Sequence, residues 1–288
     1  QVDRIAHGRA AIRAQRGRRE RICRHKGHRR VRRNGGAVAL PHVNRLRVAA
    51  EGDNRHLDPE RRQRIGLEVV RELALETLDE RGRLGEIRGR HAAFFTDLGA
   101  TAEPLLQSAE SGVWLSRLEE EHDNLRSAMD WSLVNDPEMA VRLAVSVRNY
   151  WLVHSHLTEG FGWLKAASET GFEPPPKLKF KLLNGLGLAA RFRGDHATAR
   201  KAYEAGLASG EEAGDRQGTA LSNRGLGLVA MQQGDHAAAR IHFDAGLAIS
   251  RELEDKYGVA MSLSFLGDLA RTEDRYADAK PMFEEAVG

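Results

Sequence analysis

The stretch Leu226-Gly227-Leu228-Val229-Ala230-Met231-Gln232-Gln233-Gly234-Asp235-His236-Ala237-Ala238-Ala239-Arg240-Ile241-His242-Phe243 has counterparts forty residues away on either side. Leu186-Gly187 and Leu266-Gly267 match Leu226-Gly227, and Gly194-Asp195 and Asp274-Arg275 match Gly234-Asp235. His196, His236 and Tyr276 follow, then Ala199, Ala239 and Ala279, then Tyr203, Phe243 and Phe283. Three residues after each aromatic comes a small residue (Gly206, Gly246, Ala286), and an aliphatic follows it (Leu207, Leu247, Val287). Self-similarity at a fixed period of this size means stacked supersecondary units.

Each unit reads as a helix pair. Leu221, Leu226, Leu228, Val229 and Met231 mark one helix, Gln233-Gly234-Asp235 the turn, and Ala238, Ala239, Phe243, Leu247 and Ile249 the next. The spacings mix threes and fours, the helical period. A mid-helix glycine costs about 1 kcal/mol against alanine, so three in one phase imply close helix approach, with the aromatic sixteen residues later filling the space alongside. These residues resemble the tetratricopeptide repeat: Leu226, Gly227, Ala239, Phe243 and Gly246 meet its pattern of Leu-Gly, Ala, aromatic and small residue. The usual unit is about 34 residues, and the surplus here is expected in a longer second helix and connector, such as Ile249 to Lys256. The expected fold is all-α, a right-handed helical-hairpin solenoid (tetratricopeptide-like), preceded by a small helical junction and a disordered basic N-terminal segment.

Composition bounds the rest. No apolar run approaches the roughly 20 residues a membrane span needs, and the N-terminus lacks the apolar core of a secretory signal. A single cysteine, Cys23, rules out an internal disulfide framework and fits a reducing, cytoplasmic location. The net charge of +3 conceals an asymmetry, because residues 1–50 hold fourteen Arg and one Lys against Asp3 and Glu20. The remainder is acidic. The chain begins with Gln1, its first methionine is Met129, and Gly288 falls where the sister units continue a long helix (Ala205 to Gly214, Ala245 to Asp255), so a fragment is expected.

Residues 1–57 keep no helical or alternating period, and no Phe, Trp or Tyr precedes Phe94. Three readings stay open for this segment. It is a basic arm on which Arg18, Arg19, Arg21, Arg24, Arg29, Arg30, Arg32 and Arg33 neutralise phosphates of a nucleic acid. It is a disordered, solvated segment. Or it is the product of a frame or boundary error in an arginine-codon-rich gene. Cys23, His25 and His28 suggest metal binding, but one thiol without a second Cys/His pair at zinc spacing argues against it.

Structure is expected from Asp58-Pro59 or Ile65. One helix carries Ile65, Leu67, Val69, Val70, Leu73, Leu75 and Leu78 and ends near Arg81-Gly82. A second runs from Gly85 through His91, Phe94, Phe95 and Leu98. A third, Ser111 to Leu133, sets Trp114, Leu115, Leu118, Leu125 and Trp131 opposite Glu119, Glu120, Asp123 and Arg126. Leu67-Glu68-Val69-Val70-Arg71-Glu72-Leu73, Arg90-His91-Ala92-Ala93-Phe94-Phe95 and, most specifically, Glu121-His122-Asp123-Asn124-Leu125-Arg126 resemble the junction after the ATPase module of STAND-class bacterial regulators of the LuxR and SARP types. That resemblance, over residues 65–288, implies helices leading from a nucleotide-binding region into a tetratricopeptide sensor. The expected divisions are 1–57, the basic segment; 58–134, the junction; 135–173, a degenerate unit; and 177–288, the regular array. In the degenerate unit His156, Trp163 and Ala166 match His196, Tyr203 and Gly206, while Val147 stands where the glycine should be. Ala140, Leu143, Ala144, Val147, Tyr150 and Trp151 are expected on its first helix. Pro174-Pro175-Pro176 then acts as a helix stop or a rigid hinge.

No phosphate-cradling G-x-x-x-x-G-K-[ST] loop, G-x-S-x-G elbow or H-E-x-x-H helix occurs. His154 and His156, two apart, would point away from each other on a helix. His196 and His236 share a column with Tyr276, as packing residues do. Glu119 to Asp123 is a solvated acidic face or a partner for Arg126, with no second cluster converging on it. No catalytic, cofactor or metal residues are therefore assigned, and no enzyme is expected. A solenoid of helix pairs instead offers a concave surface lined by first helices. Counting from the glycines, one face carries Asn184, Leu188 and Arg191; the next units place Arg224, Leu228 and Met231, then Ser264, Asp268 and Arg271 there. These vary between units while the packing columns repeat, which suits either a selective groove or ordinary exposed positions. The function expected is an interaction and sensor module of a signal-responsive transcriptional regulator. It would bind a protein, peptide or small inducer and control ATPase and DNA-binding domains elsewhere in a longer parent. The alternative is nucleic-acid binding through the arginine arm, with the repeats as scaffold.

Overall fold

The computed structural model describes residues 59–153 and 156–287, with side chains from Val70 onward. The expectations for residues 1–57, including the arginine arm and the Cys23, His25 and His28 group, lie outside the described residues. Of the described residues, 59–74 belong to one compact unit and the rest to a second. Among the described residues every regular element is a helix. They are α1 Pro59–Glu80, α2 Leu84–Leu105, α3 Ser111–Glu120, α4 His122–Asn135, α5 Pro137–Ser146, α6 Arg148–Val153 and α7 Leu157–Ser168. Then follow α8 Pro176–Phe192, α9 His196–Glu212, α10 Arg216–Gln232, α11 His236–Glu252, α12 Lys256–Thr272 and α13 Tyr276–Val287. None of the described helices is long and apolar enough to cross a membrane.

The fold is an all-α helical-hairpin solenoid. Helices α8 through α12 each have seventeen residues, and three-residue turns join them. The forty-residue unit is thus two equal helices and two equal turns. Neither the second helix nor the Ile249–Lys256 connector alone holds the surplus, contrary to the expectation above. The turns repeat every twenty residues. In each, one residue adopts the left-handed conformation: Gly194 (φ 74°), Gly214 (64°), Gly234 (78°), Glu254 (52°) and Asp274 (59°). Glycine enters this region freely, whereas a side chain there costs roughly 1–2 kcal/mol. Glu254→Gly and Asp274→Gly should each therefore raise stability, by up to about 1 kcal/mol, read as a higher denaturant midpoint.

Four of these turns end in an aspartate that caps the next helix. Asp195, Asp215, Asp235 and Asp255 accept from the backbone N–H of Thr198, Gly218, Ala238 and Gly258 at 2.9–3.1 Å. Asp136 does the same for Met139 ahead of α5. Such a cap satisfies one of the N–H groups a helix start leaves unpaired. Asp235→Ala should cost about 1 kcal/mol, with Asp235→Asn restoring most of it in thermal melts.

The glycine columns do what close approach requires. A Cβ on Gly187 would stand 2.9 Å from the Tyr203 ring, and one on Gly267 2.8 Å from the Phe283 ring. On Gly227 it would overlap the Phe243 ring more severely still. Each glycine therefore lets its own unit's aromatic lie flat on the helix backbone. Tyr203 and Phe243 are buried, with Leu226 and Val229 beside the first and Leu263, Leu266 and Leu269 beside the second.

The largest core cluster among the described residues runs from α2 through α8 to Ala202 of α9, around Phe95, Leu118, Leu125, Met129, Leu143, Tyr150, Trp151 and Leu164. Two expected helices are interrupted here. Ser111 to Leu133 breaks at Glu121 (φ −97°, ψ 10°) into α3 and α4. The first helix of the degenerate unit breaks at Val147 (φ −100°, ψ 8°) into α5 and the short α6. Apolar spacing runs through both breaks, so periodicity alone does not reveal them. Val147 is buried, and Trp151 packs on Gly160 instead, with the Trp163 ring 5.0 Å away. The proline run ends as a helix start: Pro175 caps α8 and Pro176 is its first residue, where a missing N–H costs nothing.

Candidate functional site: the inner helical face

The first helices of successive units touch one another, α5 with α8, α8 with α10 and α10 with α12. They form one layer of the solenoid, and each second helix packs between neighbouring first helices. This inner layer carries the candidate groove. Asn184, Leu188 and Arg191 on α8, Leu228 and Met231 on α10, and Ser264 and Asp268 on α12 are half-buried, and Arg271 is exposed. Leu228 and Met231 lean on the core around Phe243. Arg271 donates to Asp268 at 3.0 Å. The Arg191 guanidinium lies 4.5 Å from the centre of the exposed Phe192 ring. Burial pushes the Tyr203 hydroxyl up to about 12 against the opposing pull of Arg191, so this phenol is neutral at physiological pH.

Arg224 departs from the expected surface. It is only 6% exposed and donates to Ser250 on α11 at 3.2 Å. Its stem lies over Gly246, where an added Cβ would stand 3.2 Å from Cγ. A long side chain at this position follows the glycine's gap into the seam between helices instead of facing the groove. Burial lowers its pKa, partly offset by Asp255 and Tyr257. Arg224 is a seam residue, and substitutions there report on stability.

A cleft of about 610 Å³ opens where α2, α5 and the start of α8 meet. Ala93, Ala100, Met139, Val145 and Leu178 supply apolar lining. Lys181, also in its wall, lies one helical turn before Asn184, so the cleft adjoins the groove along α8. Glu103 accepts from Arg148 at 2.7 Å and Lys181 at 2.9 Å. Burial raises its carboxyl, but those two cations more than reverse this and leave it below the ordinary glutamate range. A carboxylate lowered in the folded state adds stability above its unfolded pKa and loses it as pH falls through the folded one. Glu103→Gln should therefore flatten the acid limb of the pH–stability curve below about pH 4.5. The sequence offered no signal for this cleft, whose walls come from three separated segments.

The Glu121-His122-Asp123-Asn124-Leu125-Arg126 motif is the heart of a polar clamp. Leu125 is buried, and His122 and Arg126, one turn apart on α4, both face Glu159 of α7. Arg126 Nε donates to Glu159 Oε1 at 2.6 Å, and His122 Nε2 lies 3.0 Å from Oε2. His122 Nδ1 is 2.9 Å from the Tyr150 hydroxyl, which donates to Glu119 at 2.7 Å. Glu119 also meets His156 Nε2 at 3.0 Å. The acidic stretch thus pairs with Arg126 as expected, through Asp123 at 3.4 Å. Groups from α6 and α7 nevertheless converge on it, against expectation. The Arg126 guanidinium holds the Glu159 carboxyl below its ordinary range.

The tetratricopeptide repeat family model matches residues 218–288, essentially α10 to α13. Over 104 residues, 36% of this chain, the sequence is 35% identical to proteins of Mycobacterium bovis and Mycobacterium tuberculosis that carry the provisional name HTH-type transcriptional regulator. The match spans 12% of the length of those relatives. The crystal structure of BtubC (BKLC) from P. vanneervenii aligns with a TM-score of 0.51 over 70% of this chain and 89% of that one. At 15% identity this likeness is one of fold alone. The class these observations define is an all-α helical-hairpin repeat protein whose last four helices match the tetratricopeptide repeat, a repeat that generally mediates protein–protein interaction.

Proposed function

We propose that this chain is the interaction and sensor module of a signal-responsive transcriptional regulator of the STAND class, LuxR- or SARP-like. It binds a protein, a peptide or a small inducer on the inner helical face, and occupancy controls an ATPase and DNA-binding domains of a longer parent. The observation that carries this is the contrast within the array. The glycine, alanine and aromatic columns repeat, while the inner positions pass from Asn184 and Arg191 to Met231 and then to Ser264, Asp268 and Arg271. The similarity to HTH-type regulators supports the same assignment. Capture from a lysate of the source cell with the full chain, beside an Arg191→Glu, Arg271→Glu double variant, tests it. A partner held by the parent chain and lost from an equally stable double variant is expected; equal capture by both removes the groove. Arg224 stays unchanged in this test because it is buried.

The basic N-terminal residues favour one other reading, nucleic-acid binding through Arg18, Arg19, Arg29, Arg30, Arg32 and Arg33. DNA affinity falling steeply between low and moderate salt, and vanishing with residues 1–50 deleted, would favour it over the groove.

A further inference from the structure

The polar clamp gathers donor groups of metal-ligand type. One ring nitrogen each from His122 and His156 and a carboxylate oxygen of Glu159 lie within 4.8 Å of one another. All three residues are partly buried, with side chains 12%, 24% and 25% exposed. Hydrogen-bond accounting fixes what each can offer. A carboxylate only accepts, so the Tyr150 proton goes to Glu119, and the Tyr150 oxygen is left to accept from His122 Nδ1. Neutral His122 then carries its lone pair on Nε2, 3.0 Å from the Glu159 Oε2 lone pairs. With that tautomer two acceptors face each other there, and either a proton on Nε2 or a metal ion between them relieves the conflict. Arg126 Nη2 touches both from one side, 3.3 Å from His122 Nε2 and donating to Glu159 Oε2 at 3.2 Å. Likewise His156 Nε2 must donate to Glu119, which leaves its other nitrogen as the acceptor.

We propose that His122, His156 and Glu159 form a binding site for a divalent transition-metal ion of the Zn²⁺ type. Two imidazoles and one carboxylate suit that ion and leave a fourth position for water. The outer groups are of the expected kind. Tyr150 orients His122, and Glu119 orients His156, as carboxylates and other acceptors behind ligating histidines do. Glu159 serves the ion through Oε2, giving up the 3.2 Å bond from Arg126 Nη2, while Oε1 keeps the 2.6 Å bond from Arg126 Nε. The two imidazoles are stacked, centroids 4.1 Å apart and planes 18° apart, so convergence on an ion requires them to open. His156 is the N-cap residue of α7, at the end of that helix and not within it. Such an ion would bind α4 to α7 independently of what occupies the inner face.

The test is titration of the full 288-residue chain with Zn²⁺ against a chromophoric chelator, and with Co²⁺ read by its visible spectrum. One ion per chain is expected, lost in His122→Ala and in His156→Asn. Glu119→Gln, which touches no ion, should weaken binding about 10–100-fold; a clamp with only a structural role would not link that residue to metal affinity. Thermal melts without metal show whether each variant folds, and Glu119→Gln keeps the test open if His122→Ala does not. The proposal is overturned if the chain binds no Zn²⁺, or if the folded variants bind it as tightly as the parent, which would place the ion elsewhere, such as Cys23, His25 and His28.

Discussion

Replacing Phe243 with alanine should lower stability by about 3–5 kcal/mol, the largest single-residue effect expected in the regular array. The ring is fully buried. It lies flat on the Gly227 backbone of α10, and the Phe265 ring of α12 stands 5.4 Å away. Removing it empties the seam of its own unit and the contact with the next. Chemical denaturation of the full chain measures the loss, and a change below about 1 kcal/mol would contradict the register.

Gly160→Ala is the second. Alanine normally favours a helix over glycine by about 1 kcal/mol, and at Gly162, where nothing lies within 4 Å of an added Cβ, that gain should appear. At Gly160 the added Cβ would stand 2.6 Å from Cβ and 2.7 Å from Cγ of Trp151. Those atoms are the root of a buried indole and cannot rotate aside. Overpacking of this kind costs about 1–3 kcal/mol, so two identical substitutions on one helix should shift the denaturation midpoint in opposite directions. If both stabilise, Trp151 does not rest on α7 as described.

The array was legible in the sequence because close packing leaves a pattern that no other constraint would produce. A glycine and an aromatic sixteen residues apart, three times in phase, specify which surfaces meet. What stayed hidden has physical reasons too. Viewed at forty residues, Asp215 and Asp255 look like tail ends of long helices. They are caps, visible only at the half period, where Gly214-Asp215 and Glu254-Asp255 fall in line with Gly234-Asp235. Arg224 looked exposed because helical phase assigns a Cβ direction, and a flexible stem can leave that direction wherever a neighbour such as Gly246 makes room. The clamp depends on partners 28 to 37 residues apart, Tyr150 with His122 and Glu159 with His122. Local spacing carries no trace of such pairs. The Glu121–Arg126 motif could be singled out by resemblance, but not given its partners.

Each hairpin of the array leans on the hairpins beside it, and the most extensive apolar cluster lies at its N-terminal end, from α2 into the first hairpin. Such a molecule should fray rather than shatter. Amide protons of α10 to α12 are expected to exchange through partial openings that leave α2, α4 and α5 protected, so hydrogen exchange would report a gradient along the chain in place of one cooperative value.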